Sequence, residues 1–134
     1  MLNPHYVVGF VDGEGCFSIT LNRNSGRLPE VRLIFEIELR EDDLPILEKI
    51  QEVLDCGKIY RLEYARYERW SPHVKLKVSN FEDISKKMIP FFTKYPLQAK
   101  KALQFEKFCL VAEMIGRKEH LTEKGVKRIR KIKA

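Results

Sequence analysis

An α+β fold, a curved four-stranded antiparallel sheet with helices gathered on one face, is predicted for this chain by three observations. Two pairs of segments alternate apolar and polar residues, and turn chemistry separates the members of the first pair, so they read as two antiparallel hairpins. Helix-period segments precede, separate and follow them, in the order helix, two strands, helix, two strands, two or three helices. At 134 residues, 44% hydrophobic and 33% charged, the chain has the size and composition of one globular domain over 1–134. Antiparallel strands with segregated helices bury one sheet face and leave the other polar.

The first helix is announced by Asn3, a good N-cap, and Pro4, suited to the first helical position, and runs to about residue 12. Cys16 to Asn22 then alternates, with Phe17, Ile19 and Leu21 inward and Ser18, Thr20 and Asn22 outward. Asn24-Ser25-Gly26 supplies a turn. Glu30 to Leu39 alternates again, with Val31, Leu33, Phe35, Ile37 and Leu39 inward. Asp42 and Asp43 cap a helix entered through Pro45, whose stripe is Leu44, Leu47, Ile50, Val53 and Leu54 and which Cys56-Gly57 ends.

Lys58 to Arg66 reads as the third strand, with Lys58, Tyr60, Leu62 and Tyr64 on one face, and Tyr67 to Pro72 as a loop. His73 to Ser79 returns, with Val74, Leu76 and Val78 inward. Asn80 and Asp83 start a helix that reaches about Met88 and breaks near Pro90. Phe91, Phe92, Tyr95 and Pro96 lead into a long helix from about Leu97 to Ile115, stopped by Gly116. A last amphipathic helix from about Thr122 carries Val126, Ile129 and Ile132 against Lys127, Arg128, Arg130 and Lys131.

The organising stretch is Val7-Val8-Gly9-Phe10-Val11-Asp12-Gly13-Glu14-Gly15. Gly9 and Gly13 lie four apart on one helical face, each costing about 1 kcal/mol of helix propensity. Glycines at that spacing let two helix backbones approach closely, which predicts a helix-to-helix seam formed by Val8, Gly9, Asp12 and Gly13. A carboxylate at a helix C-terminus faces the negative end of the dipole. If two copies pack along the seam, two Glu14 carboxylates converge, and hard divalent cations such as Mg2+ become natural neutralisers.

Residue by residue, this stretch resembles the nine-residue LAGLIDADG motif of homing endonucleases, with Glu14 in place of the second Asp. The predicted element order is also similar to that fold, αββαββα with extra C-terminal helices, over essentially the whole chain. The resemblance implies a homodimeric, site-specific DNA endonuclease, encoded by a mobile intron or intein, that makes a double-strand break with short 3′ overhangs in a long, partly palindromic duplex. It implies that Glu14 from each of two subunits binds Mg2+, with the Gly13 carbonyl as a further ligand. Mn2+ is an alternative ion, and Ca2+ would bind without supporting cleavage. Asp12 would brace the neighbouring helix rather than bind metal. A basic residue is implied within Lys94 to Lys101, Lys94 being the first candidate and Lys100 the second. The family's polar residue closing the second strand corresponds here to Leu39, a departure that leaves Glu38 or Arg40 as substitutes or weakens cleavage.

A two-stranded ribbon fits the major groove, where side chains read base edges. The outward candidates are Ser18, Thr20, Asn22, Arg32, Glu36, Glu38, Lys58, Tyr60, His73, Lys75 and Lys77, with Arg23, Arg27, Arg66 and Arg69 from loops. Glu36 and Glu38 are awkward near phosphates unless they accept from cytosine amino groups.

The net charge of +6 favours an anionic partner. Residues 117–134 hold eight Lys/Arg against Glu119 and Glu123, whereas the preceding 116 residues balance at 17 against 17. That basic tail reads either as a solvated helix face or as a non-specific phosphate contact. Three scattered cysteines, Cys16, Cys56 and Cys109, suggest reduced, buried thiols, and no Cys/His spacing suggests zinc. No apolar run has the length and flanks of a signal peptide or membrane span, so the expected location is cytoplasmic or organellar, with no membrane partner and no small-molecule substrate. Two other readings stand beside the enzyme. One is a non-cleaving binding protein of the same fold, an intron RNA maturase or a DNA-binding regulator; the other is one half of a two-motif enzyme.

Overall fold

The computed structural model describes residues 1–63 and 72–134. The element order is α1 (Pro4–Glu14), β1 (Gly15–Asn22), β2 (Glu30–Arg40), α2 (Leu44–Leu54), β3 (Lys58–Leu62), β4 (His73–Val78), α3 (Phe81–Asp83), α4 (Ile89–Lys94), α5 (Lys101–Gly116) and α6 (Glu123–Lys133). Asn3 caps α1 by accepting from the His5 N–H at 2.8 Å. Gly15 joins α1 to β1 without an intervening loop, and its lack of a side chain permits this: a Cβ there would lie 2.7 Å from Val11 Cγ1 and 3.0 Å from the Val11 carbonyl.

The sheet is wholly antiparallel in the order β1-β2-β4-β3, so each hairpin contributes one central and one edge strand. In the β1–β2 turn the Gly26 N–H donates to Asn24 Oδ1 at 2.8 Å, the local bond expected of Asn-Ser-Gly. The inward residues of β1, β2 and β4 fill one core with Val7, Val8 and Val11 of α1, Leu47, Ile50 and Leu54 of α2, and Phe108, Val111, Ala112 and Met114 of α5. Each such side chain, once buried, contributes about 1.5–3 kcal/mol relative to exposure. Phe17 is the hub, with ring centroids of Phe35, Phe92, Phe105 and Phe108 all within 5.0–5.6 Å.

Four local expectations are corrected. Asp43 occupies the N-cap position of α2 but makes no side-chain capping bond, because a 3-10 turn over Glu41–Asp43 leads straight into the helix. Pro90 does not break its helix: a π turn over Ile84–Met88 joins α3 to α4, and the Ile89 N–H bonds back to the Ile84 carbonyl. The wider turn accommodates the proline's missing donor and its ring, which would clash in α geometry. The long helix begins at Lys101, not Leu97, because the preceding turn is held from outside by Asp12. Finally, Cys16 is exposed on the outer sheet face, while burial pushes the Cys56 and Cys109 thiols up to about 11.

The C-terminal helix α6 docks through Val126, Ile129 and Gly125, with Thr122 capping it by accepting from the Gly125 N–H at 3.0 Å. A Cβ at Gly125 would fall 1.7 Å from the Glu119 carbonyl oxygen. Gly125→Ala is therefore expected to undock the start of α6 and cost about 1–3 kcal/mol, read as a lower thermal midpoint. No helix among the described residues is long and apolar enough to cross a membrane.

Candidate active site

The valines of α1 face the core, which leaves its other side bare. Gly9 and Gly13 are exposed, and a Cβ on either would meet nothing within 4 Å. Among the described residues, nothing calls for their smallness. Tyr6, half exposed, stands on the same helix, with its ring 6.2 Å from that of Phe10. Val8, expected on the seam, is corrected: it is only 5% exposed and belongs to the chain's own core.

The two acids of the motif are used differently. Asp12 turns inward along the chain: its Oδ2 accepts from the Gln98 N–H at 2.9 Å and its Oδ1 from the Ala99 N–H at 3.2 Å. Both carboxylate oxygens are thus engaged in fixing the segment that enters α5. Asp12→Ala is expected to cost about 1–2 kcal/mol by leaving these donors without their acceptor, seen as a lower urea midpoint. Glu14, the last residue of α1, is exposed, and Gly13 beside it carries no side chain to shield the backbone.

This contact also separates the two lysine candidates. Lys94 ends α4 with Nζ 5.4 Å from the Tyr95 ring centroid, and Tyr95 packs edge-on against His5 in the first turn of α1. Nine residues of helix, about 14 Å at 1.5 Å per residue, separate His5 from Glu14. Lys100 directly follows the Gln98-Ala99 pair held by Asp12, so it belongs to Glu14's end of α1. Of the two candidates, Lys100 is thus the one whose segment is bonded to the Glu14 end of α1.

The carboxylate and carbonyl oxygens at the end of α1 are the hard donors that Mg2+ and Ca2+ select, and they sit at the negative pole of a helix. They fit a divalent ion as part of its shell, not as the whole of it. Among the described residues no three His, Cys, Asp or Glu side chains converge into a complete metal site.

On the outer face of the sheet, the strand register places the candidates in rows, since directly paired residues project to the same side. Ser18 lies opposite Ile34, Thr20 opposite Arg32, and Asn22 opposite Glu30. Glu36 lies opposite Lys77, Glu38 opposite Lys75, and Arg40 opposite His73; across β3, Lys58 faces Lys77 and Tyr60 faces Lys75. Leu39 is the exception in facing: it is buried opposite Val74, leaving Glu38 and Arg40 as the outward neighbours at the end of β2.

The face carries a built-in charge pattern. Lys75 Nζ lies 3.0 Å from Glu36 and 3.7 Å from Glu38, and His73 Nδ1 lies 2.9 Å from Glu38. The two awkward acids are thereby paired by the bases of β4. Lys58 and Lys77 oppose each other directly, and among the described residues neither has an ion-pair partner. Arg32 pairs with Glu30 at 2.8 Å, the Thr20 hydroxyl donates to the Arg32 carbonyl at 3.4 Å, and Arg27 pairs with Glu123 of α6 at 2.8 Å. Arg23 is exposed in the β1–β2 loop. Arg66 and Arg69, with Tyr64 and the centre of the proposed loop, lie outside the described residues.

The profile of the LAGLIDADG endonucleases matches residues 7–112. "Probable intron-encoded endonuclease 3" of Neurospora crassa is 33% identical over 129 residues, which are 96% of this chain and 23% of that protein. "Probable intron-encoded DNA endonuclease 1" of Mycosarcoma maydis is 33% identical over 92 residues, 68% of this chain and 30% of that protein. The chain thus spans about a quarter of the length of the curated relatives it matches. Meganuclease I-SmaMI bound to uncleaveable DNA superposes with a TM-score of 0.88 at 30% identity, covering 98% of this chain and 43% of that one. I-SmaMI bound to its uncleaved DNA target in the presence of calcium ions matches at 31% identity with the same TM-score. The homing endonuclease I-TnaI gives a TM-score of 0.86 at 34% identity over 98% of this chain and 86% of that one.

Proposed function

Because the chain belongs to the LAGLIDADG endonuclease family, we propose that it acts as a site-specific DNA endonuclease, cutting both strands of a long duplex when two such units pair along their α1 helices. The observation that carries this reading is the division of labour at the end of α1. Asp12 is consumed in bracing the chain, while Glu14 stands exposed beside a glycine face that none of the described residues covers. A surface that keeps two glycines bare at a cost in helix propensity is suited to a close helix partner. The match to 86% of I-TnaI supports a second copy as that partner, and the match to 43% of I-SmaMI supports a second unit in one polypeptide. We favour the homodimer.

In this reading the outer sheet face lies in the major groove, with Ser18, Thr20, Asn22, Arg32, Lys58, Tyr60 and Lys77 facing bases and backbone. Glu36 and Glu38 are tolerated there because the Lys75 ammonium lies 3.0 and 3.7 Å from them, and His73 holds Glu38 in place at 2.9 Å. Glu14 and the Gly13 carbonyl, with their counterparts from the paired unit, would hold the divalent ion. An Mg2+ ion held by these oxygens would supply the Lewis acidity that polarises a scissile phosphate, activates water and steadies a leaving oxygen. Lys100 donates toward the negative charge that grows on the phosphate, a task for which the bond between Asp12 and the Gln98-Ala99 backbone pre-sets its segment. The likeness to intron-encoded relatives supports a location in the compartment of the host gene, cytoplasm or organelle.

The buried Leu39 favours a second reading, a DNA- or RNA-binding protein of the same fold that does not cut, since no polar side chain stands at that position to order water. Incubating the protein in Mg2+ with duplex carrying the uninterrupted host locus decides between them. Linear products with short 3′ overhangs support the endonuclease; an intact, stably bound duplex supports the second reading.

A further inference from the structure

The basic tail does not trail away from the molecule. Helix α6 folds back along the β1 edge of the sheet: Lys133 and Lys107 of α5 line a recess with Ser18 and Thr20, two of the outward residues of β1. One turn earlier on α6, Arg130 lines a cavity of about 440 Å3 with Arg23 and Arg27 of the β1–β2 loop. Three arginines, two from the β1–β2 loop and one from α6, thus line one concavity, and all three residues are exposed. Glu123, at the start of α6, supplies the counter-charge, its Oε1 lying 2.8 Å from Arg27 Nη2. This contact spans 96 residues of sequence and ties the loop to the helix.

From this arrangement we infer that the β1–β2 loop and α6 form a seat for the phosphodiester backbone of duplex DNA, lateral to the base-reading face, with Arg23, Arg27 and Arg130 as donors and Glu123 as an internal competitor for Arg27. The inference rests on the DNA-binding reading above and extends it to a surface outside the sheet. Guanidinium forks match phosphate oxygens in geometry and keep their charge at any working pH. A duplex lying on the outer face passes the β1 edge, where Lys107 and Lys133 line one recess and Arg130, Arg23 and Arg27 line another. The Glu123 carboxylate occupies Arg27 in the free chain, so a phosphate must displace it. That exchange lowers affinity for any duplex not also held by the sheet.

The two halves of the proposal carry opposite signs, which makes it testable without cleavage. Binding of a fluorescent duplex of unrelated sequence is measured by anisotropy across a salt series, in Ca2+, for wild type, Arg130→Gln, Arg23→Gln and Glu123→Gln, with thermal melts confirming that each variant is folded. Arg130→Gln and Arg23→Gln are each expected to weaken binding and to reduce the salt slope by about 0.9, the loss of one phosphate contact. Glu123→Gln is expected to tighten binding several-fold by about the same electrostatic logic. Wild-type affinity and slope in both arginine variants would overturn the seat while leaving the endonuclease reading intact. Weaker binding by Glu123→Gln would overturn its role as competitor. A wild-type chain that does not bind duplex at all would overturn the seat and the DNA reading together.

Discussion

Glu14→Gln is expected to abolish DNA cleavage, by on the order of 10³-fold or more, while leaving duplex binding intact. The side chain is exposed, so the variant should melt like the wild type. The amide keeps the shape of the carboxylate but loses the charge that completes a hard-oxygen cation shell. Without that anionic oxygen a divalent ion would be held poorly and the polarisation it would supply to the scissile phosphate would be lost. Removing negative charge near DNA does not weaken the electrostatic part of binding, so affinity should hold or rise. Retained cutting by Glu14→Gln, checked on the same duplex at saturating protein, would remove this residue from the mechanism.

The second large effect is expected at Gly9. Gly9→Leu adds a side chain into open space as far as the single chain is concerned, since a Cβ there meets nothing within 4 Å. It also replaces the poorest ordinary helix former, a gain of about 1 kcal/mol in helix propensity. The isolated fold should therefore be as stable as before or more so. Pairing should fail, because a leucine on each helix holds the two backbones apart, and cleavage should fail with it. Sedimentation velocity reads the outcome: a folded monomer supports the α1 seam, and an unchanged dimer refutes it. The effects of Gly9 and Glu14 are separable, since one removes the assembly and the other only the chemistry.

Much of this architecture was legible in the sequence because the signals were local and periodic. The alternation over Cys16 to Asn22 and Glu30 to Leu39 places every second side chain on the core face, and the observed register follows it residue for residue. Asn3, Asn80 and Thr122 cap helices through bonds no more than three residues long. Local patterns do not contain what the rest depends on. The facing of Val8 was misjudged because α1 is apolar on more than one side, and only packing decides which valines turn inward. The start of α5 depends on Asp12, which lies 86 residues before Gln98, and nothing in Leu97 to Lys100 announces that its amides are claimed from outside. The same contact ties the segment of Lys100, not that of Lys94, to the end of α1 that carries Glu14. Pro90 was read as a break because a π turn, which absorbs it, leaves no compositional mark. The ion pairs of Glu36 and Glu38 could have been anticipated once the β2–β4 register was known, since their partners lie opposite and diagonal to them. The pairing of Arg27 with Glu123 could not, because it joins a loop to a helix at the other end of the chain.

The claim that two α1 helices pair to bring two Glu14 carboxylates to one duplex is tested most directly by forming the protein–DNA complex in Ca2+, weighing it by native mass spectrometry, and then exchanging the ion for Mg2+. The expected result is two copies per duplex in Ca2+ with the DNA intact, followed by a double-strand break on exchange. A complex that carries one copy and still cuts would contradict the paired site; one that carries two copies and never cuts in Mg2+ would contradict the endonuclease itself.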